Sequence, residues 1–381
     1  MMEEACRPAD VLLPLLLLCK DVDWQAVQHL LYRHLHFSKP STVHALHCHL
    51  VREELRQNFP GRLTRTITLH DKTLALMYIT PKVLSYTTNL QQFSADGVPL
   101  CASTLRTLRV QAAKSLRKLD VLLCPEDGDG AVKLCEVAWF SALQELSIST
   151  IWSTDSSSFP IGQAPGVQMV HLDQLCVTTL KYPPVPEFLG FLSRCSFPQL
   201  RSLTLDFPVP DGDGVLGAAI DRAQLLEPLF ERIGAHLTSL SLNMSCLSVV
   251  PISERLLPHL LNLQQLHIIA GPPPIQLLDT IPCSPVTINF NLFADLDEVN
   301  KQDPASALAW LEQLEQRELP DHLRVFVRLK GTPTLPFHWL SLCDTTPTLA
   351  GKLLCRSLKL PDRQITLQDE DGRTLVLTDR I

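Results

Sequence analysis

The sequence predicts an α/β fold: an irregular solenoid of parallel strands with helical returns, preceded by a short α-helical head. Three observations predict it. A short phrase, Leu-x-x-Leu-x-Leu or a close variant, keeps returning; most copies sit at a common interval; and the stretches between copies carry helical patterning. The phrase reads Leu105-Arg-Thr-Leu108-Arg-Val110, then Leu116-Arg-Lys-Leu119-Asp-Val121 and Leu143-Gln-Glu-Leu146-Ser-Ile148. It continues as Leu172-Asp-Gln-Leu175-Cys-Val177, Leu200-Arg-Ser-Leu203-Thr-Leu205, Leu237-Thr-Ser-Leu240-Ser-Leu242 and Leu263-Gln-Gln-Leu266-His-Ile268.

The second Leu of each phrase serves as origin. The intervals Leu119 to Leu146, Leu146 to Leu175, Leu175 to Leu203 and Leu240 to Leu266 all fall within the leucine-rich-repeat period of roughly 20–29 residues. Two intervals do not. Leu108 to Leu119 is too short for a strand and a return, and Leu203 to Leu240 exceeds the period and contains the loop Phe207 to Gly214. The array is therefore irregular. Strand side chains alternate, so the outer positions of each Leu-x-Leu point into the core and the residue between them faces the concave side. A parallel strand must return through a crossover before the next copy. Candidate crossovers are Val185 to Ser193, Arg222 to Gly234 and Ser253 to Leu261.

Residues 1–36 read as helical. From Asp21 to His36 the apolar residues Trp24, Val27, Leu30, Leu31 and Leu35 recur at helical spacing and run into an extended His-Leu-His-Phe. Ser38 to Ser41 marks a turn, and Ser41 is placed to cap a helix from Thr42 to Asn58 with Val43, Leu46, Leu50 and Leu55 on one face. Leu63 to Leu69 alternates and is Thr-rich, which predicts a strand. Asp71 to Ser85 is the first helical return, and Leu90-Gln-Gln-Phe93-Ser-Ala95 is a weak further copy of the phrase. After Pro272 the phrase decays. Val286 to Phe290 and Leu323 to Val327 still read as strands, and Asp303-Pro304 opens a helix through Trp310 and Leu314. Gln364 to Leu367 and Thr374 to Leu377, split by Asp369-Glu-Asp-Gly372, predict a terminal hairpin covering the exposed end of the array. The expected organisation is a helical head over 1–60, a repeat array over 61–270, and degenerate repeats with a C-terminal cap over 271–381.

Composition narrows the function. Hydrophobic residues make up 45%, enough for a core along the whole chain, and the net charge of -7 with no basic tract lacks the footprint of a nucleic-acid binder. Twelve Cys are scattered without a C-x-x-C pair, and Cys19, Cys176 and Cys246 sit in apolar runs, as free buried thiols of a reducing compartment do. The run Val11 to Cys19 is short, contains Pro14 and follows Glu3 and Glu4, unlike a secretory leader. No stretch reaches the length of a membrane span. The expected location is intracellular, cytoplasmic or nuclear. The densest ligand-type cluster is His44, His47, Cys48 and His49, with His34 and His36 nearby, but on a helix these do not share one face, so surface or structural roles are expected. The acidic loops Pro125 to Gly130 and Pro210 to Gly214 lack the ligand spacing of a calcium loop and read as turns. No phosphate-binding, dinucleotide, nucleophile-elbow or zinc-protease motif is present, so no catalytic residue, cofactor or metal is assigned.

The words Leu15-Leu-Leu-Leu18-Cys19-Lys20-Asp21, Trp24-Gln-Ala-Val27 and Leu30-Leu31-Tyr32-Arg33-His34-Leu35-His36-Phe37 resemble the second half of an F-box as found in fungal F-box proteins, where it precedes leucine-rich repeats. The usual opening Leu-Pro-x-Glu motif is missing, and Val22 and Asp23 separate Lys20-Asp21 from Trp24, so the F-box reads as truncated or degenerate. The resemblance implies a non-catalytic substrate-recognition subunit of an SCF-type ubiquitin ligase. Its head would dock a Skp-family adaptor, and through it the cullin complex, using Leu15, Leu18, Trp24, Leu31 and Tyr32. Its concave strands would hold a target protein through Arg109, Asp120, Ser147, Thr204, Ser241 and His267. The alternative is a leucine-rich-repeat interaction scaffold that no longer binds the adaptor.

Overall fold

The structure, a computed structural model, describes residues 30–70, 80–100, 102–123, 136–150, 166–179, 186–207, 222–243, 252–269, 273–291, 304–330, 338–339 and 347–374. These fall into two compact units: the first ends at Asp173, and the second begins at Gln174 and includes Gly166. Both are α/β. Within each unit the named strands pair in parallel with their sequence neighbours and return through helices or helical turns. No helix of the described residues is long and apolar enough to cross a membrane.

The first unit carries β1 (His34–Phe37), β2 (Thr66–Leu69), β3 (Gln92–Pro99), β4 (Lys118–Leu123) and β5 (Glu145–Thr150). Their register aligns Leu35, Ile67, Phe93, Leu119 and Leu146 on successive rungs. Ile67 to Phe93 and Phe93 to Leu119 are equal steps along the chain, so the weak copy at Leu90 is a true rung. The ladder starts one residue before each strand. Arg65 N–H donates to Arg33, Gln91 to Arg65, Arg117 to Gln91 and Gln144 to Arg117, at 2.8–2.9 Å. The first Leu of each phrase packs beneath that step: Leu90, Leu116, Leu143 and Leu172 are all buried. Polar caps tie adjacent turns, with Ser115 Oγ donating to the Leu90 carbonyl and Asn89 Nδ2 to that of Arg62.

Helix α1 (Pro40–Leu55) joins β1 to β2. It starts two residues before the predicted Thr42, and Ser41 does not cap it; Lys39 holds the cap position without a side-chain bond. Pro40 explains the shift, because its fixed φ and missing N–H suit the first helical position. The helix stops at Leu55 rather than Asn58 because Gln57 turns to φ 60, in the left-handed region. Of the predicted return from Asp71 to Ser85, residues 80–84 are helical, Ser85 is already in a turn, and residues 71–79 lie outside the described residues.

The largest departure is α2 (Ala102–Ala112), which contains the whole first phrase, Leu105 to Val110, expected as a strand. Leu105 and Leu108 are buried at 0% and 1% exposure, while Val110 is 78% exposed. A strand would bury Leu108 and Val110 together; a helix buries Leu105, Leu108 and Ala112 on one face. The short interval from Leu108 to Leu119 thus has a simple cause: it runs from a return helix to the next rung.

The second unit carries β6 (Gln174–Thr179), β7 (Ser202–Asp206), β8 (Ser239–Leu242), β9 (Gln265–Ile268), β10 (Val286–Asn291), β11 (Val325–Lys330) and β12 (Ile365–Gln368). Leu175, Leu203, Leu240, Leu266, Val286, Val325 and Ile365 share one rung position, all buried. The predicted crossovers appear as α3 (Pro186–Arg194), α4 (Arg222–Ile233), and the short turns Ile252–Leu256 and Leu257–His259. Further returns are α5 (Ile275–Leu278), α6 (Pro304–Gln316) and α7 (Pro347–Lys359). Helix α3 packs against α4, and Phe188, Leu189, Phe191 and Leu192 of the first and Leu226, Leu229, Phe230 and Ile233 of the second are buried.

The C-terminal hairpin is seen in part, and its first strand also extends the parallel ladder. Strand β12 pairs parallel to β11, because Ile365 and Leu367 bury in register with Val325 and Val327. The chain does reverse at Asp369–Arg373: Asp369 Oδ1 accepts from Arg373 N–H at 2.8 Å, and Gln368 bridges antiparallel to Thr374. Residues 375–377 of the expected second strand lie outside the described residues. Cys176 stands half-exposed between Leu175 and Val177 rather than in the core; Cys195 and Cys283 are the buried thiols among the described residues, and Cys19 and Cys246 lie outside them.

Candidate functional site

Each parallel rung offers one side chain between two buried apolar ones, and successive rungs stack these about 4.8 Å apart. In the first unit this row runs His36, Thr68, Ser94, Asp120, Ser147. Asp120 and Ser147 occupy neighbouring rungs, as expected, and both are half-exposed. Ser94 Oγ donates to Asp120 Oδ2 at 2.9 Å, which fixes the carboxylate across the strands. One step along the strands Lys118 Nζ meets Glu145 Oε2 at 2.7 Å. At the first rungs the rings of His36 and His70 stack with centroids 6.1 Å apart.

In the second unit the row runs Cys176, Thr204, Ser241, His267, Thr287, Phe326, Thr366. Thr204, Ser241 and His267 fall on three consecutive rungs. Asn243 Nδ2 donates to Asp206 Oδ1 at 2.8 Å just beyond them. Burial first, and the Arg328 guanidinium second, hold the His267 imidazole below its ordinary pKa. At neutral pH the ring is therefore uncharged, with one donor and one acceptor nitrogen. Asn289 and Arg328 stand side by side in register, and Asn289 Oδ1 and Arg328 Nε are buried without a hydrogen-bond partner among the described residues. Buried polar groups are nearly always paired, so this end of the row carries unspent bonding capacity.

Arg109 does not join either row. It lies on α2, with its guanidinium 3.7 Å from the centroid of the Trp139 ring, which is 56% exposed. That pairing was hidden in the sequence because the two residues lie a whole repeat apart and carry no shared pattern. An exposed Trp held flat under an Arg combines two residue types favoured at protein interfaces.

Of the residues expected to meet an adaptor, Leu15, Leu18 and Trp24 lie outside the described residues. Leu31 and Tyr32 are half-buried. The Tyr32 hydroxyl hydrogen-bonds His49 Nε2 at 2.5 Å, and its ring stacks on that imidazole. Tyr32 thus packs the preceding turn onto α1. The histidine cluster of α1 is divided among separate partners: His49 with Tyr32, His47 edge-on to Tyr86, and His44 with Cys48 at 3.7 Å. The two acidic-glycine loops, Pro125 to Gly130 and Pro210 to Gly214, lie outside the described residues.

No protein-family model matches this chain, and no curated protein matches it either.

Proposed function

We propose that this chain is a non-catalytic protein-binding repeat protein whose strand faces hold a target protein. The observation that carries this reading is the run of half-exposed polar side chains Cys176, Thr204, Ser241 and His267 on four consecutive rungs, set on a backbone fixed by buried Leu, Val and Ile. Such a row is rigid and mostly uncharged, and it presents hydroxyls, a thiol and a neutral imidazole at strand spacing. Preorganised groups of this kind lower the ordering cost of an interface. Asp120 and Ser147 on the first unit, and Thr204, Ser241 and His267 on the second, are the assigned contacts. Arg109 enters through its stack on Trp139 rather than through a strand.

The finer reading is that the F-box-like head makes the chain a substrate-recognition subunit of an SCF-type ligase, acting by proximity while other subunits transfer ubiquitin. It rests on the sequence words from Leu15 to Phe37. The scaffold reading gains from Tyr32, whose hydroxyl and ring are engaged with His49.

Two measurements test these in turn. Proximity labelling in cells would compare the wild-type chain with a Thr204→Arg/Ser241→Arg variant and a Val110→Ala control. Partners lost only from the face variant support the target-binding rows; identical partner sets refute them. A pull-down with the host's Skp-family adaptor, beside a Trp24→Ala/Leu31→Ala/Tyr32→Ala variant still folded by circular dichroism, decides the head. Binding abolished by the triple change supports the ligase receptor, and no binding by the intact chain leaves the scaffold.

A further inference from the structure

Helix α4 sets Glu227 and Glu231 at i, i+4, hence on one face and one turn from each other. The next crossover brings a third group to them: His259, the last residue of the turn Leu257–His259, a repeat further along the chain. One ligand atom from each of the three lies within 4.8 Å of the other two. The backbones carrying them are locked. Leu256, Leu257 and Leu260 anchor the turn in the core. The His259 carbonyl sits so close to Gly234, at the end of α4, that a Cβ there would approach it to 2.4 Å. Arg255 Nη1 holds Glu227 Oε2 at 2.8 Å, which orients that carboxylate and leaves its second oxygen.

We propose that Glu227, Glu231 and His259 bind a divalent first-row transition ion such as Zn2+, which staples α4 to the following crossover of the second unit. Two carboxylate oxygens and one imidazole nitrogen suit Zn2+, Co2+ or Ni2+ better than Ca2+ or Mg2+, which take oxygen donors, or Cu+, which takes sulfur. A tetrahedral ion with bonds of about 2.0–2.2 Å spaces its ligand atoms about 3.4 Å apart. The three groups reach that spacing by small rotations of the two long Glu side chains. Water completes the shell, because Glu231 is exposed. The ion also relieves the repulsion of two like charges at i, i+4. The elements bridged belong to successive repeats, so the native fold of the second unit is what binds, and saturation stabilises it by mass action.

The full-length chain, stripped with chelator, is titrated with Co2+ and followed by visible absorption, with Zn2+ stoichiometry measured by elemental analysis. His259→Ala and the isosteric surface change Glu231→Gln are compared with a His44→Ala/Cys48→Ser control, each checked by circular dichroism. The expected result is one equivalent of nitrogen- and oxygen-ligated Co2+, present in wild type and control and at least tenfold weaker in both site variants. Zn2+ should raise the melting temperature only where that equivalent binds. Wild type binding no Co2+, showing thiolate charge-transfer bands alone, or binding no tighter than Glu231→Gln overturns the proposal.

Discussion

Val110 and Val121 hold the same position in two copies of one phrase, yet they sit in opposite environments. Val121 is 1% exposed in β4, opposite Ile148, whereas Val110 is 78% exposed on α2. Truncating each to Ala turns this into a measurable contrast. At position 121 the change removes two buried carbons, about 1.6 kcal/mol at about 0.8 each. The cavity left, roughly 40 Å3 at about 24 cal/mol per Å3, adds about 1 kcal/mol. Val121→Ala should therefore cost about 2–3 kcal/mol. At position 110 there is almost no burial to lose, and Ala exceeds Val in helix propensity by about 0.5 kcal/mol. Val110→Ala should be neutral or slightly stabilising. Urea denaturation of both purified variants, followed by circular dichroism, reads the difference as a shift in midpoint. Equal losses at the two positions would refute the helical placement of Leu105 to Val110 and restore the strand.

The remaining predictions concern the second unit. Gly372 has φ 79, and a Cβ on it would lie 3.0 Å from the flexible end of Arg328; Gly372→Ala should cost about 1–2 kcal/mol from the left-handed backbone alone, and an unchanged denaturation midpoint would contradict that. His267 is held below its ordinary value of 6.5 by burial and then by Arg328. On acidification the unfolded chain therefore takes up this proton first. Stability is full above 6.5 and falls from there until pH drops below the lowered value. His267→Asn should flatten that part of the stability profile, and a slope identical to wild type would count against the assignment. Burial pushes the Cys283 thiol up to about 11 and leaves it 4% exposed. Mass-mapped alkylation at neutral pH should label the exposed Cys355 long before Cys283; comparable rates would show that the second unit opens readily around β10.

What the sequence made legible was local. Leu119-Asp-Val121 or Leu240-Ser-Leu242 shows its rung because Leu-x-Leu alternation is a property of one strand, and every phrase except the first lies on a rung. Leu105 to Val110 failed because its spacing satisfies both a helix face and the phrase, and only tertiary burial separates them. The true rung nearby was obscured by Phe93 and Ala95, which fill the Leu positions with one larger and one smaller side chain. After Pro272 the strands were visible but their rung intervals were not. The step from Leu266 to Val286 is far shorter than that from Val286 to Val325, since the returns between them range from the single turn of α5 to the full helix α6. Contacts between repeats left the weakest trace of all. The stack of Arg109 on Trp139 and the convergence of Glu231 with His259 each join residues one repeat apart. No local pattern encodes such a pair, but a repeat period applied as a ruler would find it: residues one period apart on successive returns are neighbours before any side chain is placed.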